Sequence, residues 1–426
     1  MRVAIRRSDS PEVENGVTEL GARDDEGMKA SRLAVASALA IVACSAPATP
    51  ALKTIDAAHF HTIVQNAATA LRVPGALVKL QTPQGTFTAE VGTTELGTTT
   101  TPRPDTHFRI ASNTKTMTAA LILLLAQDGK LTLDNPISDY VLDVPNGNAI
   151  TLADLLTMRS GLYCYTFDHT LSAQLDADPA KAWSPAQVLA IAFAHPPNAP
   201  PGTAYDYCNT NYALLGLVAE KAGASPLAEQ FDRRLFSPLG MHDTALPAAG
   251  DTSLPDPYSH GYMYGKTLYA LVDEPYPADL VAAAQAGSLQ PIDYTQQNPS
   301  YAAAAGGVIS TADDLAIWIR ALVTGSVFDD QFAQRWRESL RPEDPNHADG
   351  KQYGYGISYQ RFGPHAAMYY HGGEIPGFNS FVGYDPDNAV TLVIWTNLTL
   401  SPEGKTTANA LLPTVLDQIY PGLNLG

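Results

Sequence analysis

Cysteine is scarce in this chain: three residues, Cys44, Cys164 and Cys208, among 426. That count excludes a disulfide-dense scaffold, and neither a cysteine-pair spacing nor a His-Glu-x-x-His stretch marks a metal centre. Positive charge is also short, with 26 Lys and Arg against 43 Asp and Glu and a net charge of −17. The basic residues nowhere cluster into the footprint that a nucleic acid requires, so that class of partner is excluded. The apolar run Leu33 to Ala43 is too short to span a bilayer, which takes roughly 20 residues. A Gly-x-Ser-x-Gly elbow is missing, and so is a glycine-rich phosphate loop after a strand. Internal repeats and low-complexity arrays are absent too.

What remains is 45% hydrophobic and 16% charged, enough apolar material for one large domain or two closely joined lobes. The N-terminus reads as processing rather than structure. Residues 1–27 fit no signal and are read as an upstream extension, with Met28 as the natural start. From there "MKASRLAVASALAIVACSAPATP" has a basic start, a short apolar run and small residues before Cys44. Its "IVAC" ending resembles a bacterial lipoprotein box, so residues 28–44 are expected to be a lipoprotein-type signal with Cys44 lipidated. The alternative is a signal peptide cut nearby, with Cys44 incidental. Residues 45–55 form a small-residue and proline tether, and 56–422 the main domain. Export to the cell envelope is the expected localisation, with the membrane reached only through the lipid. In that compartment Cys164 and Cys208 are expected to pair as a disulfide, two buried thiols being the alternative.

Periodicity places the elements. "ALVKLQTPQGTFTAEVGTTEL" alternates apolar and polar residues around Gln84-Gly85, a hairpin. A helix starting at Ser112 is apolar almost all round, hence buried, and ends at Gly129. "TLADLLTMRSGL" is a short helix capped by Thr151 and stopped at Gly161. "NTNYALLGLVAEKAG" is another, ending at Gly223. Residues 245–305 read as loops or irregular hairpins. "STADDLAIWIRALVTG" begins a helix with Ser310 as cap and Asp313 at its third position. The last third turns to period two, with a turn at Asp385 to Asn388, before a final helix from about Thr406 to Ile419. Strands at both ends around a helical block indicate an α+β body with an all-helical insertion.

Three stretches carry chemistry. In "RIASNTKTMTAALILLLAQDGKL", Ser112 and Lys115 lie three apart and share a helix face. A serine hydroxyl is a poor nucleophile until a base takes its proton. Lysine can be that base if its pKa falls from about 10.4 toward 7, a change of ~4 kcal/mol. Burial at the foot of an apolar helix supplies that push, and the free N–H groups there favour charge developing on Ser112. The plain alternative is a capping residue and a snorkelling lysine. In "YDYCNTNYALLG", Tyr207 and Asn209 are two apart, so a phenol and an amide can face one cleft. In "YYHGGEIPGF", His371 precedes Gly372 and Gly373, which let a ligand backbone lie close to the strand.

In this order and spacing the three stretches resemble the penicillin-recognising serine hydrolases: class C β-lactamases, secreted D-alanyl-D-alanine carboxypeptidases and esterases of the same fold. "FRIASNTK", "LLTMRSGL", "PGTAYDYCNTNYALLG", "AGGVISTADDLA" and "HGGEIPGFNS" support the likeness over residues 56 to 422. The resemblance implies an α+β, β-lactamase/transpeptidase-like fold, with a central antiparallel sheet flanked by helices plus an all-helical lobe. It implies Ser112 as acylated nucleophile, Lys115 as its proton partner and Tyr207 as general acid or base. Asn209, His371 and Gly373 would bind substrate, and the backbone N–H groups of Ser112 and Glu374 would form the oxyanion hole. No cofactor is required. The substrate would be a small molecule or peptide: a peptidoglycan stem peptide, a β-lactam or an ester. One departure stands out. Relatives that recognise a carboxylate carry Thr or Ser where this chain has Gly372, which favours esterase or other peptidase activity over β-lactamase or carboxypeptidase activity. The rival function is a weakly catalytic penicillin- or peptide-binding envelope lipoprotein.

Overall fold

Alternation along the last strands sorts their side chains to two faces. Val390, Leu392 and Ile394 join one apolar cluster with Phe60, Val64 and Leu411. Val393 and Trp395 join a second with Leu77, Leu121 and Trp318. The sheet is therefore covered on both sides, which is why its central strands read as near-continuous apolar runs.

The computed structural model describes residues 52–423. The upstream extension 1–27, the lipoprotein-type signal 28–44 with Cys44 and the first part of the tether lie outside the described residues. An eight-stranded antiparallel sheet is formed by β1 (Gly75–Thr82), β2 (Gly85–Gly92), β3 (Arg341–Pro342), β4 (Gln352–Tyr353), β5 (Ser358–Gly363), β6 (Ala366–Ile375), β7 (Phe378–Asp385) and β8 (Val390–Thr396). Its order is β2-β1-β8-β7-β6-β5-β4-β3. The N-terminal hairpin is thus stitched to the C-terminal strands, with Val78 opposite Ile394. Helices α1 (Ala57–Ala70) and α6 (Thr407–Ile419) cover one face. Helix α5 (Ala312–Thr324) covers the other. Between β2 and α5 come the helices α2 (Thr114–Gln127), α3 (Leu152–Leu156) and α4 (Asn209–Gly223) of the helical lobe, with shorter helices between them.

Helix α2 is the axis of the lobe. Residues 114 to 125 are all buried, as the lack of a polar face demands, and the helix packs on α4. Its buried hydroxyls are satisfied internally: Thr118 donates to the Ala304 carbonyl at 2.6 Å, and Thr116 accepts from Trp318 Nε1 at 2.7 Å.

Several local expectations hold. Thr151 caps α3 in a reciprocal capping box with Asp154, and Asp385 Oδ1 accepts the N–H groups of Asp387 and Asn388. The expected hairpin forms, with its two-residue turn at Pro83-Gln84 because Gly85 already pairs with Thr82. Others are corrected. Ser112 lies in a 3₁₀ turn, Ala111–Asn113, before α2 rather than inside it. The cap of α5 is Thr311, whose side chain accepts from Asp314 N. Ser310 is instead the end of a short strand opposite Phe108, and its hydroxyl meets Thr244 at 2.7 Å. Helix α3 ends at Leu156, well before Gly161, as Met158 turns to φ +60°. The 245–305 stretch holds helices at Leu268–Leu271 and Ala278–Ala286, which its prolines and its lack of apolar periodicity concealed.

Candidate active site

The turn that carries Ser112 is held from three directions. Arg109 and Phe108 pair with Ile309 and Ser310, and Ile110 N–H donates to the Val308 carbonyl at 3.1 Å. Asn113 Nδ2 donates to Ser380 Oγ on β7 at 2.9 Å. Ala111 sits at φ +51° although it is not glycine, a conformation that costs about 1–3 kcal/mol and persists where the surroundings enforce it. From Thr106 to Leu125, Ser112 alone is not fully buried. A strained, clamped turn therefore presents one hydroxyl to a cavity of about 520 Å³.

Lys115 stands one turn below, 0% exposed. Its Nζ donates to Ser112 Oγ at 2.9 Å and to the Ala305 carbonyl at 2.8 Å, and it lies 4.9 Å from the centre of the Tyr207 ring. No carboxylate pairs with it among the described residues. Burial lowers its pKa from 10.5 to about 7, against a smaller opposing pull from Cys164 and Cys208. The expected nucleophile and base are in contact, and the base is held near neutrality.

Tyr207, on the loop before α4, faces the same hydroxyl and lines the cavity. Burial pushes its phenol pKa well up, with the neighbouring Ser112 hydroxyl pulling the other way, so it remains a proton donor at neutral pH. His371, on β6, is 4% exposed and its ring centre lies 6.1 Å from that of Tyr207. Its Nδ1 meets the Gly372 carbonyl at 2.6 Å and its Nε2 meets Tyr353 Oη at 3.1 Å. Burial first, then Lys115, lowers its pKa to about 3. The network fits a neutral ring with Nδ1–H donating to the carbonyl and Nε2 accepting from Tyr353.

Gly373 has a different reason from the one expected. A Cβ there would collide with the Ile110 carbonyl oxygen and Ser380 Oγ, so the glycine lets β6 lie against the nucleophile's turn rather than against a ligand. Gly372 is open, with nothing nearer than 3.8 Å to a Cβ at that position. Beyond Tyr370, β6 has no partner on its β5 side, which leaves residues 371–375 as a free edge beside Ser112. The Ser112 N–H makes no backbone hydrogen bond among the described residues, so this arm of the expected oxyanion hole is a free donor.

Two expectations meet a different arrangement. Asn209 opens α4, and its Nδ2 donates to Thr166 Oγ1 at 3.1 Å while its N–H donates to Cys164 Sγ at 3.0 Å. It does not line the Ser112 cavity. Cys164 and Cys208 are free and buried, not bonded to each other. The two thiols lie within hydrogen-bonding reach of each other, and each has a further partner, the Asn209 N–H for Cys164 and the Leu162 carbonyl for Cys208 at 3.6 Å. Residues that sequence reasoning passed over are Tyr353, which orients His371, and the Glu343–Lys351 pair at 3.2 Å in the cavity wall. Backbone groups such as the Ala305 carbonyl leave no signal in a sequence. Among the described residues no group of three or more His, Cys, Asp or Glu side chains is gathered as for a metal ion.

A nucleophile, a phenol and a free strand edge on one cavity, with a buried lysine held against the nucleophile from below, are an acyl-transfer arrangement, and the family comparison agrees. The model of the family described as Beta-lactamase matches residues 60–415. The chain belongs to the beta-lactamase family. Its central antiparallel sheet and flanking helices are the fold of that family. A D-stereospecific amidohydrolase from Streptomyces sp. superposes with a TM-score of 0.72 at 26% identity, covering 86% of this chain and 99% of that one. The putative penicillin-binding protein PbpX of Bacillus subtilis is 26% identical over 75% of this chain and 68% of its own length. An unguisins hydrolase of Aspergillus campestris is 26% identical over 80% of this chain. The match spans 62% of that hydrolase.

Proposed function

We propose that this beta-lactamase-family chain is a serine hydrolase that cleaves an amide or ester through an acyl-Ser112 intermediate. The observation that carries the reading is the 2.9 Å contact between Lys115 Nζ and Ser112 Oγ, made by a lysine with no carboxylate partner. At neutral pH a large fraction of that amine is unprotonated, since its pKa lies at about 7. It accepts the Ser112 proton as Oγ attacks the carbonyl carbon. The carbonyl oxygen then becomes an oxyanion facing the N–H groups of Ser112 and Glu374; one such donor is worth about 3 kcal/mol in the transition state. Tyr207 gives a proton to the departing amine or alcohol, recovering one through Lys115. Water then attacks the acyl carbon from the cavity, and the same groups run in reverse.

His371 and Gly373 shape the strand edge along which the acyl group lies. Asn209 acts at a distance, by holding the Cys164–Thr166 segment. With a neutral His371 and no hydroxyl at Gly372, the β6 edge itself offers a substrate carboxylate neither a cation nor a side-chain hydroxyl, and the Lys351 ammonium in the cavity wall is held by Glu343. Amides and esters without a terminal carboxylate are therefore the preferred substrates. Amidohydrolase activity in a structural neighbour supports the amide branch.

The test is turnover by the wild type and by Ser112→Ala on four substrates in parallel: a short-chain nitrophenyl ester, an amino acid nitroanilide, nitrocefin and a D-Ala-D-Ala peptide. The reading expects Ser112-dependent turnover of the first two above the last two. Hydrolysis that survives in Ser112→Ala contradicts it. Stable labelling by penicillin with no turnover of any substrate favours the binding-protein alternative.

A further inference from the structure

Glu374 is placed oddly for a residue whose backbone is expected to serve catalysis. It lines the Ser112 cavity, and one carboxyl oxygen, Oε1, is fully buried without a hydrogen-bond partner. No ion pair involves it among the described residues. The positive groups of the cavity are already committed: Lys115 to Ser112 and Ala305, and Lys351 to Glu343.

Glu374 is also not the only unsatisfied group in its surroundings. The hydroxyl of Tyr276 is buried without a partner, and Glu374 adds to burial in pushing that phenol's pKa up. Burial, then the nearby Asp273 carboxylate, lifts the Glu374 pKa to about 8. No cation offsets that rise. A buried carboxyl and an orphaned phenol oxygen are costly to leave unpaired, and an ammonium group offers three N–H donors and a positive charge.

We propose that Glu374, with Tyr276 beside it, is the specificity-determining subsite that takes a free amino group carried by the acyl half of the substrate. The inference rests on the acyl-Ser112 reading for its place in the reaction and deepens it. The Glu374 N–H faces the substrate carbonyl oxygen in that reading, so the carbon next to the carbonyl is the nearest point of the substrate to the Glu374 side chain. The substrate class is an amino acid amide, ester or short peptide with an unblocked amino terminus. Substrates acylated on that nitrogen place a neutral amide against the carboxyl and leave it unpaired.

Two measurements test this separately. The first is binding to Ser112→Ala by calorimetry, using D- and L-alaninamide as ammonium probes and propionamide as the uncharged control. It reads Glu374 whether or not the protein turns over. Alaninamide of one hand is expected to bind at least about tenfold more tightly than propionamide, and Glu374→Gln in the Ser112→Ala background should erase most of the difference. Tyr276→Phe should reduce it about two- to fivefold, and serves if Glu374→Gln fails to fold. The second is kcat/KM of the wild type on alanine nitroanilide against its N-acetyl form. A preference of at least about tenfold for the free amine is expected, with Glu374→Gln lowering the ratio mainly through KM. Equal binding of alaninamide and propionamide overturns the subsite and assigns the unpaired atoms to buried water. Ser112-dependent ester turnover with equal use of free and acetylated amines also overturns it, while sparing the acyl-enzyme reading. Amine-selective binding without any turnover does the converse.

Discussion

Replacing Lys115 with Met should make the protein inactive and more stable. The ammonium form of a group fully buried at 0% exposure is disfavoured, and the fall of its pKa from 10.5 to about 7 corresponds to about 5 kcal/mol against the charged state. The sign follows from proton binding. Between pH 7 and 10.5 the unfolded chain holds a proton on Lys115 that the folded chain does not, so wild-type stability rises with pH over that window. Below pH 7 both states are protonated and the whole penalty is present; by pH 9 it has shrunk to about 2 kcal/mol. Met removes the penalty but leaves the Ala305 carbonyl without its donor, a loss of about 1–3 kcal/mol that does not depend on pH. The variant should therefore exceed the wild type by about 2 kcal/mol or more at pH 6, and the gap should close by roughly 2–3 kcal/mol at pH 9. Urea midpoints of both proteins at pH 6, 7, 8 and 9 measure it, and acylation by a nitrophenyl ester should fall about 10²–10⁴-fold in the variant. A gap that stays flat from pH 6 to 9 refutes the claim that Lys115 is held near neutrality by burial.

Gly373→Ala drives a methyl group into the Ile110 carbonyl oxygen and Ser380 Oγ, so the nucleophile's turn must shift; kcat should fall about 100-fold or more, as for a misplaced reacting group, together with a lower melting temperature. The imidazole of His371, with its pKa lowered to about 3, should show no titration in its proton NMR signals between pH 4.5 and 8, and Tyr353→Phe should raise its pKa by removing the hydroxyl at Nε2. Denaturation in iodoacetamide without reductant should add two carbamidomethyl groups to the 52–423 segment, at Cys164 and Cys208, because both are free.

The parts of this molecule that show in its sequence are those set by local pattern. Thr151 followed by Asp154 fixes a helix start without help from elsewhere, and the apolar circumference of α2 already says that it is buried. Ser112 and Lys115 were legible as a pair because helical spacing alone brings them together. Tyr207 and His371 were legible only through the order of three motifs, since nothing local says that residues 92 and 256 positions downstream of Lys115 line the cavity of Ser112. What stayed hidden depends on long-range contacts. Asn209 looked free to bind a carbonyl because its partner, Thr166, lies on a different segment. Thr311 and Ser310 are equally good caps by composition, and pairing with Phe108 decides between them. Gly373 was assigned to ligand approach, whereas the object it approaches is the protein's own nucleophile turn. Glu374 carried no motif signal for its side chain, because its interest lies in partners that are missing.

The central claim is that Ser112 becomes acylated with Lys115 as its base. Incubation with a slowly released acylating ester, an acid quench and peptide mapping by mass spectrometry tests it most directly. The account predicts one acyl group on the peptide containing Ser112, formed faster as pH rises through about 7 and absent from Ser112→Ala. Turnover of the same ester with no adduct on Ser112, or an adduct that persists in Ser112→Ala, contradicts it.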